Sequence, residues 1–186
     1  MTFVFLLRHA ESAPSRDLGE PDWPLSEEGE RQAFNLLDKL EPLEIEHIFS
    51  SPFERAIASV RPFAERIGVE VEIIPDLRER KLKEGFVDNW AEILRMAWED
   101  FDYSQPNCES GIACQTRIKD CIGSLATSHP GQVILASSHG NAIGLFLNSL
   151  DDSFGFDGWA AMGNPDLFRI IYKDGAPSWD RKFVYG

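Results

Sequence analysis

Two histidines and two arginines follow apolar runs in this chain, and those residue types together suit a doubly charged anion. Residues 3–12, FVFLLRHAES, pass from an unbroken apolar stretch into Arg8 and His9. The stretch QVILASS passes into His139 and Gly140, and HIFSS passes into a segment whose first turn carries Arg55. Arginine offers a planar fork of donors that matches phosphate oxygens, and its charge is permanent. A neutral imidazole is a competent nucleophile toward phosphorus. The four residues therefore fit a phosphate dianion and the transfer of its phosphoryl group.

Bringing them together requires particular elements. FVFLL is short, apolar and β-prone, as expected of a strand buried on both faces. PLSEEGERQAFNLLDKLEP reads as a helix with Ser26 as its cap, Glu27 and Glu28 at the positive end, and Ala33, Leu36, Leu37 and Leu40 along one stripe. After the strand EHIFSS comes the helix SPFERAIASVRPFAERIG. Ser51 is expected to cap it, Pro52 to take its first position, Pro62 to kink it and Gly68 to stop it. VEVEII alternates with period two, as in a half-exposed strand at a sheet edge. Asn89 and Glu92 have the spacing of a capping box ahead of Ile93, Leu94, Ala97, Trp98 and Phe101 on one face. A further helix, ESGIACQTRIKDCIGSLATSHPG, stops at Pro130 and Gly131; then come the strand QVILASS, the helix NAIGLFLNSL and a last strand, LFRIIY.

Strands alternating with helices mean an α/β fold: a three-layer αβα sandwich, with a mostly parallel central sheet and helices on both faces. Ligands of such sheets bind beyond the carboxyl ends of the strands. Three strand ends thus deliver Arg8, His9, Arg55 and His139 to one side of the sheet. The helix start at Ser51 and Pro52 adds backbone N–H groups near Arg55.

Composition narrows the partners. With 186 residues, 43% hydrophobic and 26% charged, the chain is long enough for one domain spanning 1–186 with a sizeable core. A formal net charge of −13 disfavours nucleic acid and anionic membranes as partners. It does not forbid a phosphate pocket, because charges beyond about 8 Å are screened at physiological salt. Cys108, Cys114 and Cys121 form no C-x-x-C pair, which disfavours a disulfide framework or a zinc site. They read as small buried hydrophobes in a reducing compartment. The N-terminal apolar run is too short for a membrane span, and a cytoplasmic location is expected.

LLRHAES, PLSEEGERQA, IFSSPFERAIAS, DLRER, CES and SSHGNAI, in that order, resemble the histidine phosphatase superfamily, the phosphoglycerate mutase-like proteins. The resemblance runs from Phe3 to about Tyr172, with each piece at an expected strand end or helix start. It implies roles. His9 matches the histidine that becomes phosphorylated, and Arg8 and Arg55 the arginines that hold the phosphoryl group. His139 matches the second histidine, which also contacts phosphoryl oxygens. Glu79 matches the acid that protonates the leaving oxygen. Asn141 follows the mutase pattern, with a neighbouring amide expected to help bind phosphate. Glu109 and Ser110 match a GES-like piece with Cys108 in place of glycine. Ala10 replaces the glycine of the usual RHG, at little expected cost unless the backbone there needs positive φ. Ser15 stands where mutase-like members often carry a phosphate-binding Asn.

Other residues read as structural. His47 and His129 belong to a helix–strand join and a Pro-Gly stop, and Arg78 and Arg80 to a solvated charge run. Phe86, Trp90, Trp98, Phe101 and Tyr103 are expected mainly to pack a helix, with a lid over substrate as the alternative. The expected activity is a phosphatase that hydrolyses small phosphate monoesters through phosphohistidine on His9, without metal or other cofactor. The resemblance implies longer insertions in phosphoglycerate mutases than segment 80–107 carries. A mutase, a protein phosphohistidine phosphatase and an inactive phosphate-binding scaffold are the alternatives.

Overall fold

The computed structural model describes residues 1–85 and 89–181. Six strands form one sheet: β1 (Thr2–Arg8), β2 (His47–Ser50), β3 (Val71–Ile73), β4 (Val133–Ser138), β5 (Asp166–Lys173) and β6 (Ala176–Asp180), in the order β3-β2-β4-β1-β5-β6. β1, β2, β3 and β4 pair in parallel, whereas β5 and β6 are antiparallel additions beside β1. The sheet is therefore mixed, with its parallel part at the centre and one edge.

Alternation along β1 shows how both faces are covered. Val4 and Leu6 pack on one side with Ile134, Ala136, Phe168 and Ile170; Phe5 and Leu7 pack on the other with Ile48, Leu135 and Leu167. Helices α1 (Glu27–Leu40) and α2 (Glu54–Ile67) cover the second side, through Leu36, Leu40, Val60 and Phe63. Helices α3 (Trp90–Glu99), α4 (Gly111–Ser128) and α5 (Gly140–Leu150) cover the first, through Ile93, Leu94, Ile118, Ile122, Ile143 and Phe146. This is the expected three-layer arrangement. A short helix, α6 (Phe156–Ala160), leads toward β5.

Local signals set most helix ends. The Ser26 side chain accepts a hydrogen bond from the Gly29 amide, and Ser110 likewise caps α4 through the Ala113 amide. Gly68 ends α2 in the left-handed conformation, φ 69°. Two expected caps differ. Helix α2 begins at Glu54 after Phe53, with Pro62 inside one continuous helix, so Ser51 lies too far upstream to cap it. Asn89 precedes α3 without a side-chain cap. β3 does lie at the sheet edge, but α6 and β6 were not expected from the sequence. Phe86 lies outside the described residues.

Candidate active site

Parallel pairing puts the carboxyl ends of three strands side by side. Arg8 pairs with Ser138, and Ser50 with Ser137, so His9, Ser51 and His139 leave the sheet at one edge. The His9 and His139 rings meet edge to face with centroids 5.1 Å apart. Arg55, on the first turn of α2 and only 4% exposed, reaches back so that its Nε donates to His9 Nε2 at 3.2 Å.

The His9–Ala10 peptide is held on every side. The His9 amide donates to the Ser138 carbonyl at 3.1 Å and the Ala10 amide to Ser59 Oγ at 2.8 Å. The Asn164 side chain donates to the His9 carbonyl at 2.8 Å. His9 Nδ1 donates to the Ala10 carbonyl at 2.6 Å, which fixes the tautomer and leaves Nε2 with its lone pair. Burial first, and then the Arg55 charge, push the His9 pKa down to about 3. His9 is thus a neutral imidazole whose unprotonated nitrogen accepts from an arginine. Ala10 fits without strain: the non-glycine residues with positive φ among those described are Glu44, Asn107 and Asp174.

His139 is fully buried, and burial holds its pKa well below the ordinary histidine range. Its Nε2 lies 2.7 Å from Ser51 Oγ, and its Nδ1 has no hydrogen-bond partner. Ser51, rather than capping a helix, links two strand ends while accepting from the Phe53 amide.

A cavity of about 240 Å³ opens at this edge, lined by Arg8, His9, Ser12, Glu20, Arg55, Glu79, Asn141 and Trp159 among others. Arg8 Nη1 donates to the Met162 carbonyl at 2.9 Å while Nε is unpartnered. Glu79 is held by the start of α5: its oxygens accept from the Asn141 amide at 3.1 Å and the Ala142 amide at 3.0 Å. Asn141 Oδ1 in turn accepts from Trp98 Nε1 at 3.1 Å. The backbone amides of Asn141 and Ala142, at the helix start where an amide is expected to help bind phosphate, donate to Glu79. A larger compartment of about 650 Å³ shares Glu20, Glu79, Arg80 and Lys83 with the inner one and extends along segments 16–21 and 78–85. The arrangement offers two arginines for a dianion, a neutral nucleophilic nitrogen, a carboxyl group, and room for a leaving group.

A model of the histidine phosphatase superfamily (branch 1) matches residues 4–183. The chain belongs to that superfamily. Probable phosphoglycerate mutase GpmB of Escherichia fergusonii is 28% identical over 94% of this chain and 86% of the relative. GpmB of Cronobacter sakazakii is 30% identical over 81% of this chain and 75% of the relative. Among solved structures, a mycobacterial glucosyl-3-phosphoglycerate phosphatase superposes with a TM-score of 0.76 at 26% identity, covering 96% of this chain and 95% of that one. Entamoeba histolytica phosphoserine phosphatase shares the fold with a TM-score of 0.80 at 20% identity, over 96% and 95%. The chain is accordingly an enzyme of the histidine phosphatase kind.

Within this histidine phosphatase the structure gathers Arg8, His9, Arg55, Glu79 and Asn141 around the cavity, with His139 directly behind His9. Ser15 does not line it; its hydroxyl accepts from the Asp17 amide at 3.1 Å in a local turn. Glu109 is engaged by Arg117 in a two-pronged pair, both contacts 2.7 Å. Arg80 corrects the reading of a solvated charge run: it is 2% exposed, with donors on the carbonyls of Glu109, Ala97 and Tyr103. Trp98 packs in the core and Phe101 and Tyr103 against it, while Trp90 lines the cavity. Glu20, Asn164 and Trp159 were missed. They sit in a three-residue 3-10 turn, a loop and a five-residue helix, where no periodicity or strand end marks them.

Proposed function

We propose that the chain is a phosphomonoester phosphatase working through phosphohistidine on His9. The observation that carries this reading is the pair of hydrogen bonds on one ring. Nδ1 is fixed by the Ala10 carbonyl and Nε2 faces Arg55 at the cavity wall. Arg8 and Arg55 hold the phosphoryl oxygens, with the His139 ring packed against His9. Substrate draws Arg55 off Nε2 and frees the lone pair. Nε2 then attacks phosphorus, an N–P bond forms, and the P–O bond breaks with its electron pair leaving on oxygen. Glu79 is the group placed to give that oxygen its proton. Water next attacks the phosphohistidine, Glu79 takes a proton from it, and inorganic phosphate leaves His9 restored.

The leaving group occupies the larger compartment, which suits a small phosphorylated metabolite. The name of the mycobacterial relative supports water as acceptor. The names of the curated relatives favour a second reading, phosphoglycerate mutase, in which substrate retrieves the phosphoryl group. Phosphate release from a panel of phosphorylated metabolites and a phosphohistidine peptide tests the first. Isomerisation of 3-phosphoglycerate with a bisphosphoglycerate primer tests the second. Turnover with an acid-labile phosphoenzyme that His9→Ala abolishes is the expected result; phosphate trapped on another residue refutes the assignment.

A further inference from the structure

Arg55 is not waiting empty-handed for phosphate. Its Nη1 donates to the Glu20 carbonyl at 2.7 Å and its Nη2 to Glu20 Oε1 at 3.0 Å. With Nε on His9, all three nitrogens of the guanidinium are engaged. Two of them are held by a single residue that is itself an anion.

The two partners are unequally anchored. Arg55 is buried on α2, where its own carbonyl accepts from Ser59, the residue that also binds the Ala10 amide. Glu20 begins a 3-10 turn, Glu20–Asp22, that buries none of its residues and has no side-chain cap. Its side chain is 36% exposed, against 4% for Arg55. The carboxylate is therefore the partner free to move. It also sits in company that does not favour it: burial holds its carboxyl above the ordinary range against the pull of Arg55, and the Glu79 charge pushes the same way. A phosphate dianion entering beside both carboxylates competes directly for the Arg55 fork. Glu20 has somewhere to go, since it lines the larger compartment as well, with Lys83 near enough to attract it.

We propose that the Glu20 carboxylate is an internal competitor for the phosphoryl site: it holds Arg55 Nη2 in the absence of substrate and yields it to a substrate oxygen, while the Glu20 carbonyl keeps its contact with Nη1. The proposal deepens the phosphatase reading, on which it rests, by adding a residue that sets affinity for the phosphoryl group. The pair joins a buried arginine to a carboxylate about one third exposed and itself disfavoured by burial and by Glu79, whereas a phosphate dianion brings two charges to the same donors, so displacement runs in the required direction. Glu20 nevertheless lowers affinity by whatever its own pair is worth.

Titration of the full-length protein with inorganic phosphate tests this. Glu20→Gln and Glu20→Ala are expected to bind phosphate about five-fold tighter than the parent, the gain from losing a pair of this exposure. Unchanged or weaker binding in both variants overturns the proposal, the weaker case showing that Glu20 positions Arg55 for substrate. In an Arg55→Lys background the gain is expected to vanish, because the competition needs the fork. A gain that persists there shows a general charge effect and also overturns it. Arg55→Lys alone binding phosphate as well as the parent would instead remove the phosphate site assigned under the phosphatase reading, whatever Glu20 does.

Discussion

Glu79 stands at the amino terminus of α5, and its role turns on who holds its oxygens. The Arg80 amide donates to Oε1 at 2.8 Å, the Ala142 amide to Oε1 at 3.0 Å and the Asn141 amide to Oε2 at 3.1 Å. For Glu79 to deliver a proton, one oxygen must exchange a backbone donor for the leaving oxygen of the substrate. An alkyl ester needs that proton, because alkoxide leaves poorly; nitrophenolate leaves without it. Glu79→Gln is therefore expected to lower kcat/KM for alkyl phosphates by about 100-fold, and for p-nitrophenyl phosphate far less at the transfer step. Comparison of the two substrates under single-turnover conditions checks this; equal losses for both would dismiss Glu79 as the acid. At this scale the site was legible where a residue follows an apolar run. His9 and His139 directly follow strands, and Arg55 follows one within a turn. Glu20 was not legible, since its contact with Arg55 spans 35 positions and rests partly on a backbone carbonyl. Arg80 was misread because flanking charges suggest solvent, whereas three distant carbonyls take its donors.

Elements meet through such side chains. Arg80 ties the end of α3 at Ala97 to the Tyr103 carbonyl and to the Glu109 carbonyl just before α4. It also lines the cavity, so the same residue anchors the wall around Trp90 and Leu82. Arg80→Met keeps most of the apolar stem but leaves one buried and two part-buried carbonyls without their donors. The expected loss is about 3 kcal/mol of stability, read from urea unfolding, with KM rising more than kcat falls. A stability within experimental error of the parent would mean that the Arg80 contacts contribute little. Most of the element order could be read because a buried strand and an amphipathic helix have distinct periods. β6 could not: it opens Ala-Pro, and proline argues against a strand unless the strand lies at an edge. β6 is at the edge, with Pro177 opposite Tyr172. α6 is only five residues, too short to show a helical period. Gly140 shows a constraint of another kind, since a Cβ there would meet Trp159 Nε1 at 3.1 Å and Arg8 Nε at 3.2 Å. The first position of α5 is small because Arg8 crosses it.

Across the whole molecule, a net charge of −13 surrounds an interior site built from arginines and neutral histidines. Neutrality of those histidines is a property of the folded state, so stability must depend on pH. In the unfolded chain histidine takes up a proton near pH 6.5. In the native chain burial and Arg55 push His9 down to about 3, and His139 is also held well below its ordinary range. Between pH 6.5 and about 3 the unfolded state therefore binds protons that the native state does not, and stability falls as pH falls. Glu20 works the other way, because its raised carboxyl takes up a proton first in the native state. For His9 alone the loss between pH 7 and pH 5 is about 2 kcal/mol. Urea unfolding at the two pH values is expected to show His9→Asn losing less stability than the parent by about that amount. His139→Asn should flatten the profile in the same sense, since its ring has no exposure at all. If the parent and His9→Asn lose the same amount, His9 takes up its proton in the folded protein as readily as in the unfolded one. The neutral imidazole on which the nucleophilic step depends would then be lost in mild acid.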